Sequence, residues 1–169
     1  MKSPSEADPL DQTESGGSPS KKGLKMTDPK TRRPTDVQTT RCRLYFLPVV
    51  TRVPLKFGKE TLTAVDCVRV ALTVTGSKGT PAEGWGETPL SVQWAWPGKT
   101  SIAERNSAMQ KFCVQLAEAW TRQKVSGHPI EIGHAFLENT LPRMLEAFNA
   151  SRAADADPMP HLAALICCS

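Results

Sequence analysis

The sequence predicts an α+β fold: a three-stranded antiparallel meander followed by three to four helices, preceded by a disordered N-terminal tail. Three observations predict it. Apolar residues alternate with period two through Leu62, Ala64, Val68, Val70, Leu72 and Val74, which marks a strand with one buried face. Beyond "TPLSVQWAWPG" the period becomes helical, with Ile102, Met109, Phe112, Cys113, Leu116 and Trp120 on one face. Before Arg41 the chain is rich in Pro, Ser, Gly, Thr and charge, with too few apolar residues to offset the entropy of ordering.

The 169 residues suit one ordinary domain. They exclude a complete (β/α)₈ barrel, which needs roughly 250 residues. A hydrophobic content of 39% with four Trp supports a packed core, whereas 14 Pro predict some unfolded length. No apolar run approaches the roughly 18–20 residues of a membrane helix, and the acidic, polar N-terminus does not read as a signal sequence. A soluble, cytoplasmic protein is expected.

Residues 1–41 form the leader. Met1–Ser18 carries one Lys against four acids, while Lys21–Arg41 carries seven basic residues against two acidic ones. The basic part, "KKGLKMTDPKTRR", could contact phosphates, but it has no aromatic residue to stack on bases, so nucleic-acid binding is disfavoured. Pattern begins at "RCRLYFLPVVTRVPLKF", read as the first strand, with Pro48 and Pro54 restricting it to an edge or a bulge. In the second strand Asp66 breaks the apolar parity. The turn "GSKG" at Gly76–Gly79 returns the chain into a short third strand that ends near Glu87.

Ser101 and Glu104 make a capping box for the first long helix. "SGHP" ends it, and Pro129 opens a second helix with Ile130, His134 and Leu137 as its face; Leu141, Met144, Leu145 and Phe148 make another. "DADPMP" links to "HLAALICCS", whose apolar run still continues at Ser169 and so reads as part of an unfinished element.

Chemistry is sparse. Cys42, Cys67, Cys113, Cys167 and Cys168 are odd in number, lack CxxC spacing and read as buried thiols rather than metal ligands. Glu131 and His134 have the spacing of a di-iron helix pair but no second copy, so His134 reads as a helix-surface residue. The glycines at 76, 79, 84 and 86 form no phosphate-binding motif. Trp85, Trp94 and Trp96 with Glu83 and Glu87 form the one suggestive cluster. It could close over a ligand, but core anchors are the favoured reading.

At "VPLKFGKETLTAVDCVRVALTVTGSKGTPAEGWGETPL" the sequence resembles the N-terminal capping domain of the enolase superfamily, in its mandelate racemase and muconate lactonizing branch. The resemblance spans about Arg43–Ser169 and is carried by Pro54, Leu55 and Phe57, the long strand to Thr75, "GWGE" at Gly84–Glu87, and "HPIEIGHAFLENTLP". It implies a cap over residues 42–157, with 158–169 as the lead-in to a barrel domain. It further implies that loops Lys56–Glu60 and Glu87–Ser91 form a substrate-specificity lid, with Lys56, Phe57, Lys59, Glu87 and Thr88 as candidate substrate-binding residues. Abstraction of a proton next to a carboxylate with Mg²⁺ would belong to the complete enzyme, a racemase, cycloisomerase or acid-sugar dehydratase. The implied partner is a TIM-like barrel in cis or in trans, and this chain is expected to bind no metal and to supply no catalytic residue. An unrelated interaction module with a basic tail is the competing reading.

Overall fold

A computed structural model describes residues 33–168 apart from Lys59. The leader expected over residues 1–41 lies largely outside the described residues. Chain order is β1 (Val37–Phe57), β2 (Glu60–Gly76), β3 (Pro81–Pro89), α1 (Val92–Ala95), α2 (Ile102–Arg122), β4 (Ser126–Gly127), α3 (Pro129–Ala135), a π-helical turn (Phe136–Thr140), α4 (Leu141–Ala150) and α5 (His161–Cys168). The α+β class is as expected. The sheet, however, has four antiparallel strands in the order β3-β2-β1-β4, not three. The fourth is a two-residue pairing of Ser126 and Gly127 with Gln38 and Val37, too short to show any alternation in sequence.

β1 starts at Val37, before the expected Arg41, because Val37–Thr39 pair with Val74–Gly76. Beyond Gln38 its outer edge has no neighbouring strand among the described residues, which suits the missing N–H of Pro48. Pro54 lies in a bulge: the register passes from Val50↔Ala64 to Leu55↔Leu62, so Thr51–Pro54 stand opposite one residue of β2. The Thr51 hydroxyl closes this bulge by donating to the Thr63 carbonyl at 3.0 Å. Among the described residues, positive φ is confined to Gly58 in the β1–β2 turn (59°) and Gly79 in the β2–β3 turn (77°), where a side chain would strain the backbone.

Between the two register shifts of β1, the even-numbered residues of β1 and β2 face the helices. Leu44, Phe46, Val68 and Val70 meet the α2 stripe of Met109, Phe112, Cys113 and Leu116, and α5 closes the layer with Ala163, Ala164 and Cys167. The expected capping box is present: Ser101 Oγ accepts the Glu104 N–H, and Glu104 accepts the Ser101 N–H. Pro129 opens α3, capped by the His128 ring, which accepts the Ile130 N–H.

Two readings are corrected. The expected face of Ile130, His134 and Leu137 points to water, and Ile132 and Phe136 are buried instead. The π-helical turn explains why: the buried positions run Ile132, Phe136, Leu141, and the five-residue step re-aims the face toward Phe148. Of the three clustered Trp, only Trp96 is a core anchor; Trp85 and Trp94 are more than half exposed. No helix among the described residues is long and apolar enough to cross a membrane.

Candidate functional site

The sheet register points the two expected lid segments toward the same end of the sheet but does not bring them together. Pro89, the last residue of β3, lies opposite Cys67, and β1 and β2 run on past it to the turn at Gly58. The hairpin therefore projects beyond β3 as a two-stranded arm. Val50 and Val53 on this arm are 81% and 62% exposed, and Leu55 half exposed.

The segments themselves are less loop-like than expected. Lys56 and Phe57 close β1, Lys56 opposite Thr61 and Phe57 opposite Glu60; Lys56 is exposed, and Lys59 lies outside the described residues. Glu87 and Thr88 are strand residues on opposite faces of β3. Glu87 pairs with Arg69 at 2.6 Å on the outer face, while Thr88 is half-buried opposite Val68. The structure thus brings Glu87 to Arg69, leaving Lys56 out on the arm.

The arm is braced by a residue the sequence reading passed over. Arg105 sits on the buried stripe of α2 with 2% of its side chain exposed, and its guanidinium lies 3.5 Å from Glu60 at the hairpin tip. It also donates to the Thr100 carbonyl at 2.8 Å and to the Trp96 carbonyl. A signal was present, because Arg105 falls between Ile102 and Met109 on an otherwise apolar stripe, where a charge must find partners. Asp66, which broke the parity of β2, is resolved in the same way: its carboxylate accepts from Asn106 at 2.6 Å and Gln110 at 2.8 Å, one turn apart on α2.

Beneath the α1–α2 loop, Asp157 accepts the Thr100 N–H at 2.7 Å, the Thr100 hydroxyl at 2.9 Å and the Lys99 N–H. These bonds hold its carboxyl below the usual carboxylate range.

The outer face of the sheet carries a polar and aromatic ladder. Arg43 pairs with Glu83 at 2.5 Å and lies over the Trp85 ring, which stacks on Tyr45 at 5.9 Å between centroids. Together they cover Ala71, which is fully buried. Glu131 and His134 are both exposed, and Glu131 faces Arg33 at 3.4 Å.

The five cysteines are unpaired with one another. Burial pushes the Cys42 thiol up and Cys168 to about 11; Cys167 is raised by its bond with Cys113 and by burial. Thiols held protonated in this way are poor nucleophiles. Among the described residues no group of three or more His, Cys, Asp or Glu is placed to hold a metal ion.

No protein-family model and no curated protein matches the chain. Among solved structures, the L-Ala-D/L-Glu epimerase from Bacillus subtilis, in a substrate-liganded complex, is similar over 66% of this chain at 18% identity, with a TM-score of 0.35. The match covers 25% of that protein's chain, and a likeness at this level assigns neither family nor activity.

Proposed function

We propose that the chain acts as a non-catalytic capping domain, whose hairpin tip and β3 exit overhang a site built by a barrel domain, joined in cis or supplied in trans. The observation that carries this reading is the arm itself, two strands projecting past β3 with apolar side chains in water and a tip braced through Glu60 to Arg105. Apolar surface held out on a braced element gains roughly 25 cal/mol per Å² when a partner covers it. The body supplies the rigidity that a lid needs to exclude water from a neighbouring site.

The resemblance to the cap of the mandelate racemase and muconate lactonizing branch supplies the chemistry of the complete assembly. Barrel carboxylates would hold Mg²⁺, and a barrel base would take the proton next to a substrate carboxylate. This chain would contribute shape and charge at the rim. Lys56 is an exposed positive charge near the arm tip, and its attraction for a carboxylate grows once lid closure removes water. Thr88 and Glu87, at the β3 exit, would set the opposite rim.

The test is complementation. A barrel domain of that branch, expressed without its own cap, is combined with the full chain and assayed for turnover of a carboxylate panel with Mg²⁺. A gain in kcat/KM over the barrel alone supports the reading, and a barrel indifferent to the chain contradicts it.

A further inference from the structure

Along β3, next to the rim residues Glu87 and Thr88, there is a second binding feature that does not require a barrel: we propose that the free edge of β3 receives an extended peptide as an added antiparallel strand, with two apolar side chains lodged in the cavity beneath. The phase of the β2–β3 ladder comes first. The Leu90 N–H donates to the Asp66 carbonyl at 2.8 Å and the Gly76 N–H to the Thr80 carbonyl at 3.2 Å, so the bonds to β2 come from residues 80, 82, 84, 86, 88 and 90. The backbone groups of residues 81, 83, 85, 87 and 89 therefore point away from β2, where no strand of the described residues lies. Pro81 and Pro89 have no N–H to offer. The edge is thus a short window in which Glu83, Trp85 and Glu87 present both donors and acceptors, closed at each end by proline.

The residues between them, Gly84 and Gly86, face the helices, and a Cβ built on either meets nothing within 4 Å. Two side chains are in effect missing from the inner face of the strand. The space they leave is part of a cavity of about 340 Å³ lined by Leu44, Leu72, Leu116, Trp120, Cys113 and Cys168 among others, with no charged side chain in its wall. Sheet lies above it and α2 and α5 below, but among the described residues no strand lies beyond β3 to close it.

An antiparallel strand beside β3 would exchange bonds with Glu83, Trp85 and Glu87 through alternate residues. The residues between those would lie next to Gly84 and Gly86 and point into the cavity. The occupant is therefore an extended segment with uncharged aliphatic residues at i and i+2. Its intervening residues must be small or polar, because they would lie beside Trp85, Glu83 and Glu87 on the outer face. Glu83 and Glu87 are already neutralised by Arg43 and Arg69, so the segment needs no charge of its own at those positions.

The probe is acetyl-Lys-Thr-Leu-Thr-Leu-Thr-Lys-amide, titrated into the full chain and followed by amide chemical shifts and calorimetry. The expected result is saturable binding with a Kd of about 100 μM or tighter, with shifts centred on residues 83–87. The same peptide N-methylated on its central threonine, which removes the bond opposite Trp85, should bind at least about tenfold more weakly, as should the peptide with both leucines replaced by serine. A Gly86→Val chain, whose new side chain enters the cavity from an ordinary extended backbone, should lose a similar factor. Absence of binding at about 1 mM overturns the proposal. Equal affinity for the N-methylated peptide also overturns it, since the cavity would then be taking any apolar molecule, and so does self-association through β3 that the peptide cannot compete away.

Discussion

Arg105 and Glu60 join the buried stripe of α2 to the tip of the β1–β2 hairpin, 45 residues away in sequence, across 3.5 Å. One partner is buried and the other about one-third exposed, so the pair is not equivalent from its two ends. Removing Glu60 leaves Arg105 its two carbonyl acceptors, whereas removing Arg105 frees the tip and leaves the Thr100 and Trp96 carbonyls without their buried donor. Arg105→Met is expected to cost about 2–4 kcal/mol and Glu60→Gln about 1 kcal/mol. Urea unfolding measures both. Amide exchange should show the hairpin opening faster in each variant while β2–β3 stays protected, and a neutral Arg105→Met would show that the brace does not hold the arm.

Asp66 links β2 to α2 through the Asn106 and Gln110 amides. Replacement by Ala leaves two donors with a lost charged acceptor, an expected loss of about 1.5–3 kcal/mol, and Asp66→Asn should retain part of it. The midpoint of urea unfolding decides. Equal stability of Asp66→Ala and the parent would mean that water satisfies both amides.

The structural reason that Asp66 and Arg105 matter was partly visible in the sequence. Each interrupts an apolar periodicity, Asp66 in the parity of β2 and Arg105 in the α2 stripe, and a polar group on a core-facing position must find partners. The long strand, the capping box at Ser101 and the bulge at Pro54 were legible because each has a local cause in spacing, cap chemistry or a missing N–H. The two-residue β4, the four-residue α1 and the π-helical turn at Phe136–Thr140 were not, since each is stabilised by packing rather than by its own pattern. Trp85 misled for a related reason: its hydrophobicity suggests burial, but its parity on β3 puts it on the outer face with Arg43 and Tyr45.

Acid should unfold the chain through Asp157 and Glu104. Hydrogen bonds from Thr100 lower the Asp157 carboxyl, and those from Ser101 lower the Glu104 carboxyl. For both, the folded-state pKa lies below the unfolded one. Their stabilisation is complete above the ordinary carboxylate values, about 3.9 and 4.3, and is lost as the pH falls through the depressed folded values. Unfolding midpoints measured from pH 7 down to pH 2 should fall on this acid limb, and Asp157→Asn and Ser101→Ala should each flatten it. Variants that track the parent at every pH would contradict the assignment.

Gly98 is fixed by contact rather than by φ. A Cβ there would lie 2.5 Å from Asp157 Oδ2, an oxygen already pinned by Lys99 and Thr100. Gly98→Ala is expected to destabilise by about 1–3 kcal/mol, as overpacking does. In the Asp157→Ala background the added methyl meets only the remaining Cβ at 3.4 Å, an ordinary contact, and the cost should shrink. Thermal unfolding of the two singles and the double gives the coupling, and strictly additive losses would place the cost elsewhere.

In the proposed function the arm would select substrate for a partner barrel. The most direct measurement is kcat/KM over a panel of carboxylates for the barrel complemented with the parent chain, Lys56→Ala, Thr88→Ala and Glu60→Gln. The account predicts that Lys56→Ala lowers kcat/KM unequally across the panel, most for substrates with the most anionic distal group, and that Glu60→Gln loosens discrimination among them. Four chains that give the same relative rates on every substrate would contradict it.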